Sequence, residues 1–393
     1  MCRKVPSEMK NFDELFDTEK RALINKVAVY TNDKLTHEAK YFDETSEFPK
    51  ELLTPLLEQN IFSFLLSDEK LDLAVFLEII RIVSKKFASL ASILLTQGFY
   101  AIHPLNEFGT KKQKEKYLGE LVSGKKIGAF GLSEEAADSR FNSELKTIAW
   151  ETEDGWEISG SKKYISDAPV ADVFLIVAKI QRSSDSMDTG IFIIDSNQEG
   201  LVINEPMNKM GVRSLPVASV DLNKVKLDKN SLLGGVTEGS RQIQSVMNLM
   251  KLAVSLQALG ISQGSFEKGM DYLSLVRRFG NRLIDNQDIQ YKMADLRASV
   301  YSAEAFTRQI ILTDPQDTIE VAMAKLLTAN VAIETTETVI QLTGGYGYMK
   351  DSEIERYVRD AKITAIYGGS SRSQKEIIAK HWIDNRGEKY SGN

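Results

Sequence analysis

The feature that most constrains this chain is a double change of hydrophobic period along its 393 residues. From residue 12 to about 121 the apolar side chains recur at every third or fourth position, as in Leu52, Leu56, Leu57 and Ile61, or Leu73, Phe76, Ile79, Ile80 and Val83. That spacing lines one stripe of a helix, which has to be buried against other helices. Near Gly124 the texture shifts to short β-branched or aromatic runs at 156–160, 173–178 and 190–195. Asp154-Gly155, the stretch 183–190 and Glu199-Gly200 punctuate them with residues that supply the dihedrals of a chain reversal. From about Gly239 the helical period returns in long runs at 243–276, 288–312, 319–343 and 370–382. The order predicts an α+β protein with an N-terminal helical bundle (1–123), a small central β-sheet domain (124–238) and a C-terminal four-helix bundle (239–393). Several packed units are expected at this length, because one hydrophobic core stops growing at roughly 250–300 residues.

Charge and composition exclude several classes. A net charge of −6 and a pI near 5.5 argue against a nucleic-acid partner, and the pairs Lys111-Lys112 and Lys125-Lys126 read as solvated faces. Cys2 is the single cysteine, so neither an internal disulfide nor a thiolate cluster can form, which fits the cytoplasm. His37, His103 and His381 are not spaced as ligands on a helix turn, and no metal is expected. The longest uncharged stretch, 87–106, has nominal membrane-spanning length but contains Gln97, Gly98, His103, Pro104 and Asn106. It reads as a buried helix and its exit loop. With no basic segment leading into an apolar one at the start, neither membrane insertion nor export is expected.

No Gly-x-Gly-x-x-Gly follows a strand and no Gly-Lys-Ser/Thr loop occurs, so neither a Rossmann nor a P-loop site is readable. Two glycine clusters remain. Gly344-Gly345-Tyr346-Gly347-Tyr348 follows a helix and reads either as its C-terminal cap or as a close backbone approach to a ligand. Gly368-Gly369 precedes Ser370-Ser371, a helix N-cap whose free backbone donors suit a phosphate.

Taken in order, these segments resemble the acyl-CoA dehydrogenase superfamily over nearly the whole chain. Glu107-Phe108-Gly109-Thr110 with Gln113-Lys114 and Tyr117-Leu118, then Ala129 to Glu134, then Gly160 to Ser166, then Lys209 to Ser214, then Phe279-Gly280 with Gln287, occur where the family has its motifs. Gln341 to Gly345, Arg359-Asp360-Ala361-Lys362 and Ile366 to Ser370 match its C-terminal pattern without a gap. The resemblance implies a homotetramer or homodimer that binds FAD and acts on an acyl thioester of coenzyme A or acyl carrier protein; the electron acceptor stays open. By position it places Phe130, Leu132, Ser133, Tyr164 and Ser166 against the flavin ring, with Tyr164 where many members have tryptophan. Phe279, Gln287, Gln341, Gly345 and Ser370 should contact the rest of FAD, some from a neighbouring subunit. The family's pyrophosphate-binding arginine falls at Val276, so Arg277 or Arg278 is expected to replace it. Arg372 stands where glutamine is usual. Ser139, Met250, Tyr367 and Gly368 are the positions expected at the substrate.

Acyl thioester dehydrogenation needs a carboxylate to take the α-proton. The two positions where the family keeps its glutamate are Gly368 and Met250 here, and neither supplies one. The usual Thr-Glu-Pro-Gly turn is also altered, to Ser133-Glu134-Glu135-Ala136. Three readings follow: a dehydrogenase or oxidase of unusual thioesters from specialised metabolism, a flavin monooxygenase of the same fold, or a non-catalytic flavoprotein. Glu134, Asp138 and Asp167 are candidates for a substitute base, and His103 is one for the monooxygenase.

Overall fold

A computed structural model describes residues 15–135, 145–181, 187–276 and 280–390. The chain opens with helices α1 (Thr18–Tyr30), α2 (Thr36–Thr45), α3 (Lys50–Leu57), α4 (Lys70–Ser84) and α5 (Ala88–Thr96). A π-helical turn, Gln97–Ile102, carries α5 directly into α6 (His103–Phe108), so the stretch expected to leave its helix as a loop remains helical. Pro104 explains the turn: it has no N–H to give the Tyr100 carbonyl, and the neighbouring His103 N–H bonds five residues back, to the Gly98 carbonyl. Two short helices, α7 (Lys111–Gln113) and α8 (Gly119–Val122), complete this layer.

Seven strands follow: β1 (Gly128–Gly131), β2 (Ile148–Glu151), β3 (Gly155–Ser166), β4 (Val173–Gln181), β5 (Met187–Asp195), β6 (Leu201–Ile203) and β7 (Val217–Asp228). They form one mixed sheet centred on β4, which takes β5 antiparallel on one edge and shares its other edge between β1 and β2, both parallel. Antiparallel β3, β7 and β6 extend it beyond β2. The unbroken apolar run of β4 has its reason in this position. Val173, Leu175 and Val177 enter the core shared with the helices, whereas Phe174, Ile176, Ala178 and Ile180 enter a second core on the other face.

The C-terminal layer holds α9 (Gly239–Leu273), α10 (Gln287–Thr313), α11 (Thr318–Thr343), α12 (Gly345–Tyr348), α13 (Ile354–Ile363) and α14 (Ser371–Tyr390). Helix α9 is long and apolar enough to cross a membrane by length and composition, but its most apolar stretch is 94% buried inside the protein. Gly260 and Gly264 lie on the face where it crosses α4. A Cβ at either would come within 2.2 Å of the Arg81 carbonyl or 2.0 Å of the Lys85 carbonyl, so only glycine permits the crossing. Gly344 ends α11 at a φ of 57°, with its N–H bonded to Ile340 and Gln341, which is the cap alternative for that cluster.

Candidate active site

One cleft of about 460 Å³ opens where the sheet, the loop before β7 and the start of α14 meet. Strand β1 brings Phe130 to it, followed by Leu132 and Ser133; the end of β3 brings Tyr164 and Ser166. From the C-terminal layer come Tyr367, Gly368 and Ser370. Three local devices produce this convergence.

The first is a bulge. Pairing between β3 and β7 slips between Lys162 and Ile165, and Tyr164 takes a left-handed φ of 58° inside the strand, leaving its ring 68% exposed at the cleft. Such a conformation costs a non-glycine residue on the order of 1–3 kcal/mol, offset by the paired strand on either side. The second is the turn ahead of α14, where Gly368 and Gly369 have φ of 67° and 97°, and Ser370 Oγ accepts the Ser373 N–H at 3.2 Å as an N-cap. The third is a clamp on the loop before β7. Asp360 of α13 accepts the Val212 N–H at 2.6 Å, Ser214 Oγ donates to the Phe42 carbonyl at 2.7 Å, and Arg359 pairs with Asp43 at 2.5 Å. The motif residues 209–214 and 359–362, distant in sequence, are thereby bound together.

The cleft's described lining contains three cations, Lys163, Lys209 and Arg372, and no Asp or Glu. Lys163 pairs with Glu135, and Arg372 with Glu376 at 3.0 Å. Lys209 instead donates to the carbonyls of Val212 at 2.9 Å and Arg213 at 3.2 Å. Burial is the main cause that brings its pKa down to about 8, with the Asp360 carboxylate opposing the shift.

The candidate bases lie elsewhere. Glu134 is buried under β3 with its carboxylate 2.6 Å from Lys162 Nζ, and it accepts the N–H groups of Lys146 and Thr147. Burial pushes its pKa up, but the Lys162 bond and charge and those N–H groups outweigh this and hold it below the ordinary value. Asp167, next to Ser166, is fully buried against Thr96, and burial raises it to about 7. His103 does not face the cleft; its Nε2 lies 3.1 Å from Ser245 Oγ in a separate depression, and burial lowers it to about 4. Asp138 lies outside the described residues, as do Ser139, Arg277, Arg278 and Phe279.

Met250 does not line the cleft. It is buried in α9 behind the turn, its Cγ 3.7 Å from where a Gly368 Cβ would stand. Gln287, Gln341 and Gly345 sit exposed on the outer face of this chain, with Gln341 beside Lys292 and Glu334. Sequence reading missed Tyr100, Lys209, Leu215 and Met247 as lining residues. Tyr100 had a signal in Pro104 four residues on; Lys209 and Leu215 depend on loop packing and Met247 on how α9 docks, which no local pattern encodes.

These residues fit FAD. The apolar side chains and the Tyr164 face suit a flat ring, Ser133 and Ser166 bring hydroxyls, and the glycine turn frees backbone donors at the start of α14 beside Arg372. Comparison with known proteins agrees. The acyl-CoA dehydrogenase N-terminal, middle and C-terminal domain families match residues 17–125, 129–225 and 237–383. A 3-(aryl)acrylate reductase of Clostridium sporogenes is 30% identical over 94% of this chain and 100% of its own length. A short-chain specific acyl-CoA dehydrogenase of Clostridium acetobutylicum is 32% identical over 87% of this chain and 92% of its own. The structure of butyryl-CoA dehydrogenase from Megasphaera elsdenii superposes with a TM-score of 0.88 at 26% identity, covering 94% of this chain and 99% of that one. With all three domains present in order and a cleft that fits the flavin, the chain belongs to the acyl-CoA dehydrogenase superfamily and is an FAD-dependent oxidoreductase.

Proposed function

We propose that the cleft works on the Cα–Cβ bond of a short, unusual acyl thioester, carried by coenzyme A or acyl carrier protein, with no enzyme carboxylate as proton acceptor. One observation carries this reading: the described lining holds no Asp or Glu, and the turn ahead of α14 presents Gly368 to it. Bound there, FAD supplies the acceptor for the hydride that leaves the β-carbon. Ser133 and Ser166 orient polar edges, the Tyr164 ring covers an open face, and Phe130, Leu132 and Met247 exclude water. The ionisable groups on the described lining are Lys163, Lys209, Arg372 and the phenols of Tyr100, Tyr164 and Tyr367. Protonated, these are donors, which suits a substrate whose α-proton is already acidic or a reaction run as reduction of an unsaturated thioester. Similarity to a 3-(aryl)acrylate reductase supports the second direction.

A homotetramer or homodimer in the cytoplasm completes the proposal. Support comes from the exposure of Gln287, Gln341 and Gly345 away from this chain's own cleft, and from Trp382 and Ile383 of α14, which are also exposed and which a neighbouring copy would cover. The test is anaerobic mixing of the FAD-loaded protein with saturated acyl thioesters, and of its chemically reduced form with α,β-unsaturated ones. Bleaching in the first arm or recovery of colour in the second supports the reading. A flavin unchanged by both sets, together with thioester-independent NADH oxidation, overturns it.

A further inference from the structure

An aromatic pair forms part of the cleft's lining. Tyr100, in the π-helical turn after α5, lies on Phe130 of β1 with ring centroids 5.2 Å apart and planes 17° from parallel. The π register imposed by Pro104 places the ring there, and Phe130 is held between the sheet and the helices. Both rings line the cleft. The Tyr100 hydroxyl differs from that of Tyr367, another phenol on the same lining. Tyr367 is committed, since its hydroxyl donates to Gln257 Oε1, and Gln257 is itself fixed by donating to the Ala88 carbonyl at 2.9 Å and Ser92 Oγ at 2.7 Å. The Tyr100 hydroxyl makes no hydrogen bond among the described residues, and it lines the cleft. That hydroxyl opens on the cleft, where an acceptor on a ligand can take the place of water.

Space sharpens the point. About 460 Å³ lies toward the lower end of the roughly 300–1,000 Å³ found for sites holding one drug-sized ligand, and here it has to take a flavin ring as well. With a flavin ring taken into that volume, the space left favours a short acyl unit, and a flat group can join the Tyr100–Phe130 stack edge-on or offset.

We infer that Tyr100 is the specificity-determining residue of the acyl site, and that the preferred acyl unit is short, flat at its far end and equipped there with a hydrogen-bond acceptor for the Tyr100 hydroxyl. The inference rests on the cleft being the acyl thioester site. Burial raises the Tyr100 phenol far above its ordinary pKa, so it stays a donor at any working pH.

The experiment is equilibrium titration of the FAD-loaded protein, read by perturbation of flavin absorbance, with the coenzyme A thioesters of 3-(4-pyridyl)propanoate, 3-phenylpropanoate and octanoate. The first two differ only in a ring nitrogen that accepts. Wild type should bind the pyridyl ligand about tenfold more tightly than the phenyl one, the scale of one hydrogen bond, and octanoyl most weakly. Tyr100→Phe keeps the stack and should reduce the pyridyl advantage to within about twofold. Tyr100→Ala enlarges the cleft and should tighten octanoyl binding while weakening both aryl ligands. The inference is overturned if wild type binds octanoyl as tightly as the aryl ligands, or if Tyr100→Phe keeps the pyridyl preference. Should none of the three perturb the wild-type flavin, the assignment of the cleft as an acyl site falls, and this inference with it.

Discussion

The Asp167 carboxyl and the Thr96 hydroxyl meet at 2.6 Å in the seam between the end of β3 and α5, and the same hydroxyl lies 2.8 Å from the Ser92 carbonyl. With the Ile93 carbonyl at 3.1 Å as well, Thr96 has one hydrogen for three acceptors. A protonated Asp167 resolves the conflict by donating to Thr96 Oγ1 while Thr96 donates to Ser92. Geometry and burial therefore agree that the folded protein keeps this carboxyl neutral up to about pH 7.

A pH dependence of stability follows. The unfolded chain releases the Asp167 proton near 3.8 and the folded chain near 7, so the folded state binds more protons between those values. Stability then falls as pH rises across this window, by on the order of 4 kcal/mol if Asp167 acted alone. Asp167→Asn removes the ionisation and still suits the left-handed φ of 62°. Urea midpoints of the FAD-loaded proteins should converge only toward pH 3.8, already favour the variant at pH 5, and separate furthest at pH 8. Parallel pH curves would rule out a buried acid at 167.

The Glu134–Lys162 pair makes a different prediction because both members are buried and mutually dependent. Lys162→Met leaves Glu134 without its cation, and a broken buried pair costs about 3–5 kcal/mol. Adding Glu134→Gln to that variant should restore much of the loss, since no uncompensated charge remains. A double-mutant cycle in urea measures the coupling, and additive losses would show that the pair is solvated after all.

How much of this was legible beforehand differs between fold and site. The change from helical to strand periodicity and back reflects burial of one helical stripe or alternate strand faces, so runs such as 173–178 announce their elements directly. The clamp between Asp360 and Val212 joins two motifs that sequence reading had named but could not place together. Tyr100 shows the other limit. Its approach to Phe130 depends on a π register and on where β1 ends up, neither of which a stretch of apolar residues announces. Met250 was expected at the substrate because of its place on a helix, but the Gly368 turn packs in front of it.

Lys325 of α11 links that turn to the helices by donating to the Gly369 carbonyl at 2.8 Å. Burial, and secondarily the charge of Lys251, pushes its pKa down to about 7. Here the sign is opposite to that of Asp167. Between about pH 7 and 10.5 the unfolded chain holds the Lys325 proton and the folded chain does not, so this residue makes stability rise with pH. Lys325→Met should lose that rise between pH 7 and 9.5 in thermal melts, and should release FAD more readily because the Gly369 carbonyl has lost its donor. An unchanged pH slope would mean that the ammonium reaches solvent.

Gly368 allows the missing carboxylate to be put back. A Cβ there would meet nothing nearer than Val254 Cγ2 at 3.4 Å, so the obstacle to a side chain is the φ of 67° rather than space. An L-residue in that conformation costs roughly 1–2 kcal/mol, which a chain with this much buried core should tolerate. Gly368→Glu should therefore fold, retain FAD and melt a few degrees lower. If the absence of a carboxylate is what limits proton removal, the variant should exchange the α-protons of butyryl-CoA for deuterium at least about tenfold faster than wild type, as followed by proton NMR under anaerobic conditions. Folded, flavin-loaded Gly368→Glu with an unaltered exchange rate would show that position 368 does not reach the α-carbon, and that the chain's own route for the proton has to be sought on the Lys209 side of the cleft.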